Sequence, residues 1–414
     1  MDQQELESRQ TCGDIAVVGL ACQYPGSRGP LELWENILAC RRQFRRLPEK
    51  RLGKNYINKN RSVADKTYCD RAAVIDGFEF DAEEYRIPKA MARSTDVVQW
   101  LALQVAADAV RDAGLAIDEI RDRAGVVLGN TLTGEQTRSN SMRLRWPFVQ
   151  SALELAAEKQ GLASADRRSL AITMEDIYKS VFAPVNEDTL AGGLSNTIAG
   201  RICNHFDFHG GGYTVDGACA SSLLAVCTAA DALAQGRLDV ALAGGVDISL
   251  DPFELVGFSK VGAIATDEMR VYDRRGDGFL PGEGCGFVVL KRLADARSAG
   301  DHVYAVIRGW GISSDGKGSI TAPTANGQRM ALQRAYDRAN YQIDSLDFIE
   351  GHGTGTRVGD RIEIEAIGSA LDPKSGNSER SIGLTSLKSL IGHTKAAAGE
   401  PKNSLRSAPS SATS

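Results

Sequence analysis

The most informative segment of the sequence is Tyr213-Thr-Val-Asp-Gly-Ala-Cys219-Ala-Ser-Ser-Leu-Leu-Ala-Val226. It predicts a short strand that runs through small residues directly into an apolar helix, which should last until Gly236. Cys219 would then lie at a helix N-terminus, where backbone N–H groups and the helix dipole favour the thiolate. The small neighbours leave its approach uncrowded, as a nucleophile requires. A buried structural cysteine at a strand–helix turn is the alternative.

Outward from this stretch, short apolar strands alternate with helical patterns, which predicts an α/β protein with largely parallel pairing. The predicted strands are 15–20, 125–129, 213–215, 240–243, 286–290, 303–307, 347–349 and 382–384. Helical spacing predicts a helix over 97–113, and further helix over 150–182, interrupted near Gly161, as an excursion outside the sheet. Residues 400–414 are serine-rich and almost without large apolar side chains, so we expect them to be disordered.

The composition excludes several classes of protein. The 414 residues are 43% hydrophobic with a net charge of −5, which gives no reason to expect binding to nucleic acid or an anionic membrane. No apolar run approaches the roughly 20 residues that span a bilayer, and the N-terminus lacks the basic region of a signal peptide. The eight cysteines show no regular spacing, which favours reduced thiols in the cytoplasm.

Positive charge is concentrated in one segment. Between Arg41 and Arg61 nine residues are basic, against the single acid Glu49. A solvated surface loop is one interpretation, and a docking patch for an acidic partner is the other.

Two histidines stand in glycine-flanked turns after predicted strands. Glu350-Gly-His352-Gly-Thr-Gly-Thr356 precedes a helix expected to start near Asp360, and Leu387-Lys388-Ser-Leu-Ile-Gly-His393 opens an alanine-rich segment expected to be helical. Open α/β sheets collect their sites beyond the carboxyl ends of strands. Because the chain has only five histidines, a structural role for both is not expected.

Two other patterns are weaker. Cys203, His205 and His209 have the spacing C-x-H-x₃-H but no fourth ligand nearby, so no metal site is expected. The glycines of 278–286 precede a strand instead of joining a strand to a helix, which argues against a phosphate loop.

In this order and at these separations, the motifs resemble the β-ketoacyl synthases of fatty-acid and polyketide assembly. The matching segments are Ile15-Ala-Val-Val-Gly-Leu-Ala-Cys-Gln-Tyr-Pro-Gly26, the Cys219 turn, Asp277-Gly-Phe-Leu-Pro-Gly-Glu-Gly284, His352-Gly-Thr-Gly-Thr356 and Lys388 to Gly399. The opening segment and Leu33-Trp-Glu-Asn36 look like type I polyketide synthases. Gly129-Asn-Thr-Leu-Thr-Gly134 and Leu144-Arg-Trp-Pro-Phe148 are similar to an iterative, enediyne-type subgroup.

The resemblance implies a thiolase-like fold, with two similar halves in a layered α/β/α/β/α arrangement. The N-terminal half would be about 14–295 and an incomplete C-terminal half about 296–399, after an N-terminal extension at 1–13 and before the tail at 400–414. Family members continue through further closing strands that complete the oxyanion hole. From this we expect a C-terminally truncated product.

The resemblance also implies decarboxylative condensation, with an acyl chain from an acyl carrier protein transferred to Cys219. A malonyl thioester on a second carrier then loses CO₂, and its enolate attacks the acyl group. His352 and His393 would donate hydrogen bonds to that enolate. Lys388 would organise the cluster, with Asp360 and Glu363 as its charge partners. Asp360 could instead be a helix N-cap, or serve both purposes.

Further implications concern ligands and partners. Thr354 and Thr356 match positions that hydrogen-bond the phosphopantetheine arm, which the carrier protein brings, so no directly bound cofactor and no metal is expected. The family is usually dimeric, which implies a homodimer. A second interpretation is an inactive fragment that only pairs with a synthase or binds its carrier. A cysteine hydrolase needs only one histidine, and a thiolase needs a second cysteine motif that is absent.

Overall fold

The computed structural model describes residues 13–248, 250–317, 322–371 and 382–399. The predicted disorder of 400–414 and most of the predicted extension at 1–13 lie outside these ranges. The strands are β1 (Ile15–Gln23), β2 (Arg45–Arg46), β3 (Arg71–Ala72), β4 (Ala124–Gly129), β5 (Gly212–Val215), β6 (Val240–Asp247), β7 (Gly284–Arg292), β8 (Ala305–Ile307), β9 (Phe348–Glu350) and β10 (Gly383–Thr385).

Helices separate the strands and pack on both faces of the main sheet. They are α1 (Pro30–Leu38), α2 (Lys89–Ser94), α3 (Val97–Asp112), α4 (Ile117–Ile120), α5 (Glu135–Leu144), α6 (Trp146–Lys159), α7 (Ser164–Ser180), α8 (Thr189–Gly193), α9 (Asn196–Phe206), α10 (Ser221–Ala234), α11 (Pro252–Lys260), α12 (Leu293–Ala299), α13 (Ala325–Ala339), α14 (Arg357–Ala370) and α15 (Lys388–Ile391).

Six strands form the main sheet in the order β5-β4-β6-β7-β1-β8. The β5-β4-β6 part is parallel, whereas β7 runs antiparallel to both β6 and β1, and β8 runs antiparallel to β1. All eight predicted strands are present, but the expectation of largely parallel pairing is wrong for three of the five strand pairs in this sheet. Hydrophobic runs show that a strand is buried and do not encode its direction.

The core lies on the two faces of this sheet. Helix α3 covers one face with side chains such as Leu101 and Val105, and α10 covers the other with Ala225 and Leu233. Strands β4, β6 and β7 are buried along nearly their whole length, as expected of strands covered on both faces. The structure therefore stacks helix, sheet and helix, and β5, the strand that leads to Cys219, lies at one edge of this sheet.

The predicted helices are present with small changes of boundary. Helix α3 begins after Asp96, whose side chain accepts the Val98 N–H at 3.0 Å. The 150–182 segment forms α6 and α7, separated around Gly161, where φ is +75°. The two helices pack on each other, outside the sheet as predicted.

The later part of the chain forms a second, smaller sheet. Strands β9 and β10 pair in parallel, and α13 packs against α14 beside them. Within the described residues, no helix is long and apolar enough to cross a membrane.

Candidate active site

Cys219 lies in a strained turn between β5 and α10. A 3₁₀ turn over Ala218–Ala220 precedes the helix, so α10 begins two residues after Cys219. Ala218 has φ +52°, the left-handed region that residues with a Cβ seldom occupy. Two bonds of the Ser221 hydroxyl hold the turn, since this hydroxyl accepts the Gly217 N–H at 2.9 Å and donates to the Ala218 carbonyl at 2.7 Å. The predicted strand–turn–helix arrangement is therefore confirmed.

The turn brings Cys219 together with both predicted histidines. The Cys219 sulfur and one ring nitrogen each of His352 and His393 all lie within 4.8 Å of one another. The two imidazole rings stand edge to face, with centroids 5.4 Å apart and planes at 86°. His393 is buried at 2% exposure, whereas His352 is exposed to the cleft.

One hydrogen bond determines the proton position on His393. The Lys395 backbone N–H donates to His393 Nδ1 at 3.0 Å. In the neutral imidazole Nδ1 is therefore the acceptor, and Nε2 carries the proton. His393 is thus a hydrogen-bond donor through Nε2, as stabilisation of a developing oxyanion requires.

The electrostatics of Cys219 differ from the sequence-based expectation. Cys219 is exposed by surface area, yet many protein atoms surround its sulfur at the base of the cleft. This desolvation raises the pKa of the thiol, and it outweighs the opposing effect of the Lys388 ammonium. The helix N-terminus was expected to favour the thiolate, but burial of the sulfur is the larger effect.

The His352 loop is organised by two carboxylates on α14. Glu363 accepts the backbone N–H groups of His352 and Gly353. Asp360 accepts those of Thr354 and Gly355, each at 3.0 Å. This loop contains two glycines with positive φ, and the carboxylates accept the backbone N–H groups that the loop leaves without secondary-structure partners.

Asp360 is not the N-cap of its helix. Helix α14 begins at Arg357, and the N-cap is Thr356, whose hydroxyl accepts the Gly359 N–H at 3.2 Å. Asp360 lies in the first turn, where burial raises its pKa despite the lowering effect of backbone N–H donors that include Tyr272. Pairing of Asp360 and Glu363 with Lys388 stays a prediction, because the bonds described for both carboxylates go to this loop and to Tyr272.

Lys388 and the two threonines occupy different places. Lys388 is buried at the start of α15 and lines the same cleft as Cys219 and His352. Thr354 and Thr356 bond each other through their hydroxyls at 2.9 Å and are not among the residues that line the cleft. Their contact with a pantetheine arm stays a prediction. Up to Gly399, where the described residues end, the segment after His393 forms a 3₁₀ turn over Lys395–Ala397 in place of the alanine-rich α-helix expected there.

The cleft has a volume of about 570 Å³ and combines polar groups with apolar walls. Its polar groups include Cys219, His352 and Lys388. Its apolar walls come from α10, α13, β9 and α14, through Leu223, Leu332, Tyr336, Ile349 and Ile367. An apolar cavity with a few convergent polar groups is typical of a small-molecule site.

The three reactive groups are also of the types that bind metal ions. A metal-bound histidine normally donates its second ring N–H to an acceptor, whereas His393 Nδ1 accepts a backbone N–H. This hydrogen bond favours the expectation that no metal is used, which stays a prediction. Of the earlier candidates, His205 packs edge to face against Phe206 and at a tilt against Tyr85, and His209 pairs with Asp207 at 3.2 Å.

Sequence reasoning missed a buried ionic group beneath the site. Lys395 Nζ is paired with Asp247 and, at 2.6 Å, with Glu254 Oε2. The only signal in the sequence is a lysine inside the small-residue run that follows His393. Tyr272 was also missed, and its hydroxyl donates to Glu363 at 2.9 Å.

Two family models match the chain. The β-ketoacyl synthase N-terminal domain matches residues 13–296, and the β-ketoacyl synthase C-terminal domain matches residues 304–402. The chain is 38% identical over 391 residues to one of the polyunsaturated fatty acid synthase polypeptides of Thraustochytrium, covering 93% of this chain and 14% of that protein. It is 32% identical over 390 residues to polyketide synthase PksL of Bacillus subtilis, covering 93% of this chain and 8% of that protein. The chain thus spans a small part of each relative.

Solved ketosynthases have the same fold. An oxazolomycin ketosynthase domain from Streptomyces albus superposes with a TM-score of 0.80 at 26% identity, covering 95% of this chain and 62% of that one. The ketosynthase from module 6 of the bacillaene synthase of Bacillus subtilis gives 0.72 at 28% identity, covering 95% and 60%. The predicted thiolase-like α/β fold is confirmed by these neighbours.

Proposed function

Because this chain belongs to the β-ketoacyl synthase family, we propose that it catalyses decarboxylative condensation of an acyl and a malonyl thioester during polyketide or fatty-acid assembly. The observation that supports this most directly is the convergence of Cys219, His352 and His393 within 4.8 Å. Both thioesters would be carried on the phosphopantetheine arm of an acyl carrier protein. No other cofactor is required.

The first half-reaction loads the enzyme. The Cys219 thiol loses its proton, its sulfur attacks the acyl carbonyl, and the carrier thiolate leaves and takes up a proton. Lys388 assists the first step because its positive charge lowers the pKa of Cys219 against the effect of burial. The backbone N–H groups at the start of α10 lie beside the forming oxyanion.

The second half-reaction forms the carbon–carbon bond. The malonyl carboxylate leaves as CO₂, and its bonding electrons move into an enolate whose oxygen accepts hydrogen bonds from His352 and His393. The enolate carbon attacks the Cys219 thioester and expels the Cys219 thiolate. The Nε2–H tautomer of His393 supports this role, and it disfavours a hydrolase in which that histidine would act as a base.

We also infer a homodimer in the cytoplasm, with the carrier protein as the transient partner. The described cysteines form no disulfide, as reduced thiols require. An inactive protein that only pairs with a synthase or binds its carrier is not favoured, because the nucleophile, both histidines and Lys388 are in place around one cleft. The enediyne-type subgroup stays a prediction.

The test is acylation followed by condensation. The purified chain is incubated with hexanoyl-pantetheine, and the acyl group is located by peptide mass spectrometry. We expect it on Cys219 alone, and we expect added malonyl-pantetheine to yield the β-ketoacyl product and CO₂. Cys40→Ala, at an exposed cysteine outside the cleft, is the control and should behave as wild type. Unselective acylation, or Cys219 acylation without any condensation product, would contradict the proposal.

A further inference from the structure

Lys395 is a buried cation directly behind the reactive histidine. The residue is 3% exposed, and its side chain pairs with Asp247, at the end of β6, and with Glu254, on α11. Both carboxylates are themselves buried at 1% and 3% exposure. The group continues outward through Arg138, which bonds Asp251 at 2.5 Å and lies 3.9 Å from Glu254.

The backbone of Lys395 contacts the site while its side chain is fixed in this ionic group. Its N–H donates to His393 Nδ1, and its φ of +51° turns the chain sharply at that point. The turn that follows lies against the residues that carry Cys219, because the Gly399 N–H donates to Ser222 Oγ at 2.8 Å. A shift of Lys395 would therefore change the placement of His393 relative to Cys219.

Stability alone does not explain three buried ionisable side chains at this place. Apolar residues of similar volume often replace a buried ion group at no cost in stability, because desolvation offsets the attraction between the charges. Such groups are better attested as devices that fix one arrangement of the chain. Asp247 at the C-terminal end of β6 and Glu254 in the first turn of α11 are two fixed anchors. Lys395 pairs with both and so connects them to the turn after His393.

We propose that Lys395 is a positioning residue of the condensing site. Its ion pairs with Asp247 and Glu254 hold the turn over Lys395–Ala397 so that its backbone N–H keeps His393 in the Nε2–H tautomer. This inference rests on the proposed function for its kinetic consequence, but the tautomer itself is measurable without any activity. The reaction most sensitive to Lys395 is malonyl decarboxylation, which needs the His393 donor, and acyl transfer to Cys219 is less sensitive.

The experiment compares wild type with Lys395→Met and with a neutral variant that combines Lys395→Met, Asp247→Asn and Glu254→Gln. The neutral variant leaves no buried carboxylate of this group unpaired, so it covers the case in which Lys395→Met fails to fold. Nitrogen-15 spectra of histidine-labelled protein, with His393 assigned through His393→Gln, report the tautomer. Decarboxylation of malonyl-pantetheine and acylation of Cys219 are measured separately.

We expect a single Nε2–H signal for His393 in wild type and a mixed or altered signal in the variants. Decarboxylation should fall about 10²-fold, as misplacement of a reacting group by about 1 Å can cause, while acylation changes less than about threefold. The matched control is Lys291→Met, which removes a largely buried lysine paired with Asp301 at 2.5 Å. Lys291 lies at the far end of β7 from the Asp247 register, so its loss should leave the tautomer and the ratio of the two rates unchanged.

The outcomes separate the two proposals. A wild-type His393 signal in the variants, or equal loss of both half-reactions as from general destabilisation, would overturn the role of Lys395. A wild-type rate of malonyl decarboxylation in the neutral variant would also overturn the role of Lys395. Wild-type protein that neither acylates nor decarboxylates would refute the proposed function, and the spectra would still decide whether Lys395 sets the tautomer.

Discussion

At the scale of single residues, competing effects determine the chemistry of Cys219. A helix N-terminus stabilises a thiolate modestly, and burial of the sulfur in apolar surroundings can outweigh that effect. In the structure, desolvation raises the pKa of Cys219, Lys388 lowers it, and Asp247 raises it further. The pKa of the Cys219 thiol therefore depends on a balance between burial, which raises it, and the Lys388 ammonium, which lowers it.

Lys388→Met should slow alkylation of Cys219. Without the ammonium the pKa of the thiol rises further, so the thiolate fraction at a fixed pH below that pKa falls, by about tenfold for each unit of pKa. The measurement is the rate of iodoacetamide labelling at Cys219 between pH 7 and 10, by peptide mass spectrometry. Lys388→Arg keeps the charge and should stay near the wild-type rate. A rate that is unchanged in Lys388→Met would show that Lys388 has no electrostatic effect on the thiol.

Glu363→Gln should weaken the His352 donor. The carboxylate accepts two backbone N–H groups of the His352 loop and the Tyr272 hydroxyl, and charged acceptors form the stronger hydrogen bonds. We expect malonyl decarboxylation, followed as CO₂ release, to fall about tenfold, equivalent to the roughly 1.5 kcal/mol of one such bond. Glu365→Gln, an exposed position on the same helix, is the control. Equal rates for both variants would contradict this role of Glu363.

The sequence was sufficient to predict which three side chains meet in the cleft, but not the residues packed behind them. Cys219, His352 and His393 stand in small-residue or glycine-flanked turns, which the local sequence pattern is enough to predict. The Lys395 ion pairs join residues about 150 positions apart, and no local pattern encodes such a contact. The alternative of an Asp360 N-cap is wrong because the helix begins earlier, at Arg357, where the Thr356 hydroxyl accepts the Gly359 N–H.

At the scale of elements, the site depends on how closely β4 approaches the start of α10. Gly129 ends β4, and a Cβ there would lie 2.5 Å from the Ser221 carbonyl carbon and 2.6 Å from the Ser222 nitrogen. Both contacts are backbone atoms, so no side chain can move aside to relieve them. Direction and spacing of elements were the part of the fold that hydrophobic periodicity could not predict, as the antiparallel β7 shows.

Gly129→Ala should therefore displace the helix that carries Cys219. We expect a loss of roughly 1–3 kcal/mol in the free energy of unfolding, as for other overpacked interiors, together with slower acylation of Cys219. Urea unfolding and the hexanoyl-pantetheine assay measure the two effects. Gly368→Ala on α14, where a Cβ meets nothing within 4 Å, should be neutral or stabilising. Wild-type stability in Gly129→Ala would mean that β4 and α10 can separate freely.

At the scale of the whole molecule, the basic segment 41–61 is attached to the body of the protein. Its side chains bond groups from several distant elements: Arg42 with the Met269 carbonyl, Arg45 with the Val74 carbonyl and Asp76, Arg51 with Glu283, Lys59 with the Tyr68 carbonyl and Arg61 with Thr266. These contacts support the surface-loop interpretation for most of the charges. The side chains of Arg46 and Lys54 remain exposed, at 83% and 82%, which leaves a smaller docking patch as a hypothesis.

Arg51→Met tests which interpretation describes the segment. Glu283 is fully buried and accepts the Ile75 N–H at 3.0 Å as well as pairing with Arg51. Its neighbour Gly282 donates its N–H to the His393 carbonyl at 2.9 Å, so the ion pair connects the basic segment to the strand beside the active site. Removal of Arg51 would leave a buried carboxylate without its cation, which typically costs about 3 kcal/mol or more.

We expect the free energy of unfolding of Arg51→Met, measured in urea, to fall by that amount, with a parallel loss of condensation. Lys54→Met, which removes an exposed pair with Glu49, should change stability by less than about 1 kcal/mol. If the segment docks the carrier protein, loss of the exposed Lys54 should matter more than loss of Arg51. Exposed charges raise the rate of association, and their effect is sensitive to salt. Unchanged stability in Arg51→Met, with salt-dependent loss of carrier-linked activity in both variants, would assign the segment to the partner and not to the fold.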